Sequence, residues 1–67
     1  MAASYKKLWK LLIDRDLKKK DLQTLAGISN YTVSKLKRGD NITTDVLGKI
    51  CKALNCNIND IMEFVDE

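Results

Sequence analysis

Three residues, Gly27-Ile28-Ser29, separate two short amphipathic stretches, and this spacing constrains the fold more than any other feature of the chain. Before it, Leu22, Leu25 and Ala26 mark the inward face of a helix expected over residues 19–26. Gly27 ends that helix, because a residue without Cβ takes a positive φ at little cost. After it, Ser29 is placed to cap a helix expected over residues 30–38, in which Val33 and Leu36 form the buried pair. Gly39 stops this second helix, and Asp40 and Asn41 follow as turn residues.

Three further segments flank the pair. A first helix is expected from Ser4, as N-cap, to Arg15: Tyr5, Leu8, Trp9 and Leu12 recur at the spacing of one helix face, and Lys6, Lys7, Lys10 and Asp14 fall opposite. A fourth is expected over Thr44 to Leu54, capped by Thr43, with Val46, Leu47, Ile50, Cys51 and Leu54 as a wide apolar stripe. After the loop Asn55-Cys56-Asn57, a fifth is expected from about Asn59 to Val65, because Ile58, Ile61, Met62 and Val65 share one helical face. The absence of Pro and the presence of only three Gly favour helices over many short strands. The expectation is an all-α, compact five-helix fold, a single domain over residues 1–67. Its second and third helices cross steeply because their connection is so short, which is helix-turn-helix geometry.

Several function classes are excluded at this level. There is no His and there are two Cys, Cys51 and Cys56, so one chain cannot supply four ligands to a structural zinc ion. Both thiols read as small hydrophobes in a reducing compartment. No nucleophile stands beside an obvious base and no Gly-rich phosphate loop is present, so neither an enzyme nor a cofactor is expected, and no small-molecule substrate is evident. The longest apolar run, Leu11-Leu12-Ile13, is far too short to span a membrane, and no secretory signal is recognisable, so a cytoplasmic protein is expected. The triplet Arg38-Gly39-Asp40 is not read as an adhesion signal, since Gly39 is already explained as a helix stop.

The charge is unevenly distributed. Residues 1–40 carry ten Lys and Arg against four Asp, a net +6, whereas residues 41–67 carry two Lys against five acids, a net −3. One reading is a face that attracts anions; the other is a set of solvated helix faces of unequal composition. The run Lys18-Lys19-Lys20 sharpens the question. It sits where a helix begins, at the positive end of the helix dipole, and each cation there costs about 0.3–1 kcal/mol at low salt. A bound phosphate reverses that sign, because the first N–H groups of the helix and the lysines both favour an anion. The alternative is a solvated basic turn tolerated because Asp16 and Asp21 flank it.

The stretch from Asp21 to Leu36, with the turn Leu-Ala-Gly-Ile-Ser, the exit Leu-Lys-Arg-Gly-Asp and the fourth-helix run Ile-Cys-Lys-Ala-Leu-Asn-Cys, resembles the Cro/phage-repressor-type (XRE-like) helix-turn-helix family of transcriptional regulators. The resemblance covers residues 5–65 and departs at Gln23, where the family usually has Ala or another small residue. The Gln23 side chain must lie outward if the two helices are to cross in the family's manner.

The resemblance implies a lambda-repressor-like fold whose third helix enters the major groove of double-stranded DNA. By position, Asn30, Tyr31, Ser34 and Lys35 would read base edges. Their chemistry agrees: an Asn amide matches adenine N6 and N7, Lys donates to guanine O6 and N7, Ser serves either base, and an aromatic ring touches a thymine methyl. For Tyr31 the alternative is a ring packed on a neighbouring side chain, and for Lys35 a solvated charge or a phosphate contact. Ser29, Thr32, Arg38 and Asn41 are implied as phosphate contacts, joining Lys18, Lys19 and Lys20. The family habit also implies a repressor acting as a homodimer on a palindromic operator, with Phe64 at the dimer interface or simply a partly exposed ring. The competing reading is a protein-interaction or antitoxin-like module on the same fold, anchored by Tyr31, Trp9 or Phe64.

Overall fold

The computed structural model describes residues 2–66. Four α-helices run in chain order: α1 (Lys6–Asp14), α2 (Lys19–Ala26), α3 (Asn30–Arg38) and α4 (Thr44–Leu54). The last three have the bounds their capping residues predict. Gly27 ends α2 at φ +66° and Gly39 ends α3 at φ +75°. The Ser29 hydroxyl accepts the Thr32 N–H at 3.1 Å, and the Thr43 hydroxyl accepts the Val46 N–H at 3.3 Å.

The ends of the chain differ from the expectation of a fifth helix. Ile58–Asp60 makes one 3₁₀ turn, and Glu63–Val65 is a strand, β2, paired antiparallel with β1 (Ala2–Ser4). Ala2 lies opposite Val65, Ala3 opposite Phe64 and Ser4 opposite Glu63. The all-α, five-helix expectation is therefore corrected to four helices with a small two-stranded sheet. The Asp60 carboxylate accepts the Asn57 N–H at 2.9 Å and so caps a single turn. A seven-residue stretch makes a marginal helix, whereas its last three residues, extended, pair their backbone with β1. Ser4 is correspondingly not the N-cap of α1. It belongs to β1, Tyr5 occupies the cap position, and the Ser4 hydroxyl meets the Lys6 N–H only at 3.5 Å.

The core gathers one face from each of the four helices, with Tyr5 before α1 and Ile61 after the 3₁₀ turn. Leu8, Leu22, Leu36, Ile50, Leu54 and Ile61 are fully buried, and α2 packs on α4. Leu25, expected to point inward, is exposed: it lies at the edge of the α2 face that Leu22 and Ala26 bury. Trp9 is half-buried at the rim of the core. The Arg15 guanidinium donates to the Leu54 carbonyl, placing a cation at the negative end of α4. Among the described residues no helix is long and apolar enough to cross a membrane.

Candidate nucleic-acid interface

Helix α3 is built to show one face. Val33 and Leu36, three residues apart, are 2% and 1% exposed and fasten the helix to the core. Asn30 and Tyr31 lie opposite and exposed, and Ser34 and Lys35 half-buried beside them. All four residues expected to read bases therefore share the polar side of one helix. The Lys35 ammonium stands 5.8 Å from the centroid of the Tyr31 ring, one helical turn away. The ring thus rests against a neighbouring cation and is still 68% exposed.

The residues expected at phosphates form two groups at opposite ends of α3 and a third on α2. Ser29 and Thr32 stand at the start of α3, and their hydroxyls share a 3.0 Å hydrogen bond within the cap. Arg38 and Asn41 lie at the other end, about 12 Å along the axis at about 1.5 Å per residue. Arg38 is already paired: its Nε and Nη2 each lie 2.9 Å from Asp40 Oδ2. The lysine run opens α2. The Lys18 N–H donates to Asp21 Oδ2 at 2.8 Å, and the Lys19 ammonium lies 5.1 Å from the Trp9 ring centroid. Part of the electrostatic cost of three cations at this helix start is therefore relieved inside the protein, by a carboxylate at the third helical position and by an aromatic face. Lys18, Lys19 and Lys20 all remain exposed.

Two residues of this surface were not expected at the site. Lys37 is exposed and falls three residues beyond Ser34 and seven beyond Asn30, so it shares their face, as the helical spacing alone shows. Gln23, half-buried on α2, donates from Nε2 to Asn30 Oδ1 at 3.1 Å. Its side chain bridges α2 and α3 rather than wedging between them, which accommodates a large residue at this crossing.

A family model described as the Cro/C1-type helix-turn-helix DNA-binding domain matches residues 7–67. The chain belongs to this family. The crystal structure of transcriptional regulator VanUg, Form II, is similar to it with a TM-score of 0.93 and 48% sequence identity, covering 98% of this chain and 88% of that one. Among curated proteins nothing matches. This Cro/C1-type domain is thus a DNA-binding module of the transcriptional-regulator kind, and the family is not one of enzymes. Its α2 and α3 are the two helices of the motif.

Proposed function

We propose that this Cro/C1-type domain, acting as a single unit over residues 1–67, is a sequence-specific repressor that lays α3 in the major groove of double-stranded DNA. The observation that carries this reading is the division of α3 into a core face, Val33 and Leu36, and a polar face carrying Asn30, Tyr31, Ser34 and Lys35. In this reading Asn30 and Lys35 supply directional hydrogen bonds to base edges, Ser34 adds a hydroxyl, and the exposed Tyr31 ring offers an apolar contact. Lys18, Lys19 and Lys20 grip phosphates on one side, with Ser29 and Thr32 at the start of α3 and Arg38 and Asn41 beyond its end. Occupancy of the duplex is by itself enough to repress.

The protein works in this reading as a homodimer on a palindromic operator. Support comes from the apolar surface around β2: Ile58 and Phe64 are exposed and line a groove of about 520 Å³ together with Ala3, Ile42, Leu47 and Met62. Two copies related by a two-fold axis present their α3 helices to half-sites about 34–36 Å apart.

Selection of binding sites from randomised duplex DNA tests the proposal. The expected product is one enriched sequence, two-fold symmetric, with half-site centres about one helical turn apart. A pool that never converges overturns sequence-specific binding. Convergence on one unrepeated half-site overturns the dimer alone.

A further inference from the structure

The end of α4 brings the two thiols of the chain, Cys51 and Cys56, together. Cys51 stands in the last turn of the helix, and Asn55 stops it with left-handed backbone at φ +51°. The chain then folds back on itself. The Cys56 N–H donates to the Cys51 carbonyl at 3.0 Å, and the Asn55 N–H to the Lys52 carbonyl at 3.3 Å. This pair of bonds is the Schellman closure of a helix, which sets the side chains at its first and sixth positions against each other.

The closure has a consequence for the sulfurs. A hydrogen bond of that length, with the fixed covalent bonds on either side of it, holds the two Cα atoms within about 7 Å, the limit for a disulfide. The thiols also sense each other: burial first, and then the neighbouring Cys51, raise the Cys56 thiol above its ordinary value. Both residues are half-buried and unbridged, so each keeps some contact with solvent. Cys51 lines the groove beside Met62 and Phe64, and Cys56 lines a cleft with Lys10, Asp14 and Arg15.

We propose that Cys51 and Cys56 are a reversible disulfide site, closed within one chain by exchange with a low-molecular-weight disulfide. This goes beyond DNA binding and does not rest on it. Cys51 gives its proton to water and its sulfur attacks one sulfur of the small disulfide. A mixed disulfide forms, and one small thiolate leaves and takes up a proton. Cys56 then loses its proton, its sulfur attacks the Cys51 sulfur, and the second small thiolate leaves. Two protein thiols become one disulfide, and the small disulfide becomes two thiols, with two electrons and two protons passed between them. Excess small thiol drives the same steps backward, so in a reducing compartment the pair rests as thiols and closes only transiently.

The experiment equilibrates the natural chain, Cys51→Ser and Cys56→Ser with glutathione and glutathione disulfide over a range of ratios, in buffer and in urea. Free thiols are then blocked by alkylation, and the intact proteins and their peptides are weighed. Thermal melting of the reduced proteins checks the fold. The natural chain is expected to pass from two blocked thiols to none in a single transition, with no glutathione attached and a mass about 2 Da below the unblocked reduced chain. Each Ser variant is expected to stop at a mixed disulfide with one glutathione. The closed bridge should form about tenfold more favourably in the folded chain than in urea, and the oxidised protein should melt higher than the reduced one. A natural chain that carries two glutathiones, or that cross-links to a second copy instead of closing on itself, overturns the proposal. So does a bridge that forms equally well in urea, since the end of α4 then contributes nothing to it.

Discussion

The Tyr5 hydroxyl donates to the Asp40 carbonyl oxygen across 3.4 Å, joining residues 35 apart in sequence. Tyr5 stands at the cap position of α1, and Asp40 follows Gly39 at the end of α3. The bond therefore ties the exit of α3 to the start of α1, through a side chain that is 4% exposed. In Tyr5→Phe the ring is retained and the bond lost, at about 1 kcal/mol. The expected result by calorimetry is a melting temperature lower by about 4–8 °C for a domain of this size.

Burial also sets the response to base. It raises the Tyr5 phenol above its ordinary 10.0, and burial together with the neighbouring Cys51 raises the Cys56 thiol above its ordinary 9.0. Each group holds its proton more tightly folded than unfolded, so the stability it contributes is whole below the ordinary value and is lost as pH rises through the higher folded value. Urea midpoints are expected to fall from about pH 9 upward. Cys56→Ser should flatten the earlier part of that fall and Tyr5→Phe the later part.

The C-terminal segment separates into one residue that holds the fold and one that does not. Ile61 is 0% exposed in the core, whereas Phe64 is 64% exposed on β2. Ile61→Ala is expected to cost about 2–5 kcal/mol. That is a large share of a total stability of about 3–10 kcal/mol for a chain of this length. Phe64→Ala is expected to leave the urea midpoint nearly unchanged at low protein concentration. If Phe64 lies at the proposed dimer contact, it should weaken self-association by sedimentation and the affinity for a palindromic site.

These two residues also show where the sequence speaks and where it is silent. The bounds of α2, α3 and α4 were legible because each is written locally: Ser29 and Thr43 bind N–H groups three residues on, and Gly27 and Gly39 supply left-handed backbone. The spacing of Ile58, Ile61, Met62 and Val65 imitates a helical face, but Ile58 falls in the 3₁₀ turn and only Val65 enters the strand, whose partner Ala2–Ser4 lies at the far end of the chain. Pairing across that separation leaves no local signature. The polar face of α3 followed from Val33 and Leu36 alone. The Gln23–Asn30 bond and the Arg38–Asp40 pair did not, since side chains on neighbouring segments choose partners only once the turn geometry is set.

Gly27 tests the turn directly. A Cβ built there meets nothing within 4 Å, so the penalty of substitution comes from φ +66° and not from a clash. Gly27→Ala is expected to cost about 1–2 kcal/mol. Gly27→Asn should cost less, because Asn tolerates the left-handed region. Equal melting temperatures for the two variants would argue that backbone strain is not what the glycine relieves.

The proposed phosphate contacts predict opposite effects for two charge changes. Lys20→Ala should weaken binding to every duplex alike and reduce the slope of log K against log salt by about 0.9. Asp40→Asn removes the carboxylate that holds Arg38 at 2.9 Å, frees the guanidinium, and should strengthen binding to all sequences several-fold at low salt. Both are read by fluorescence anisotropy across a salt series on specific and random DNA.

The proposed function requires the outward face of α3 to meet base edges in the major groove. Replacing the purine opposite Asn30 in a selected site by its 7-deaza form deletes a single major-groove acceptor. The account predicts about tenfold weaker binding by the natural chain and no further loss for Asn30→Ala. Equal weakening of both proteins, or sensitivity instead to deletion of the guanine N2 amino group in the minor groove, would contradict it.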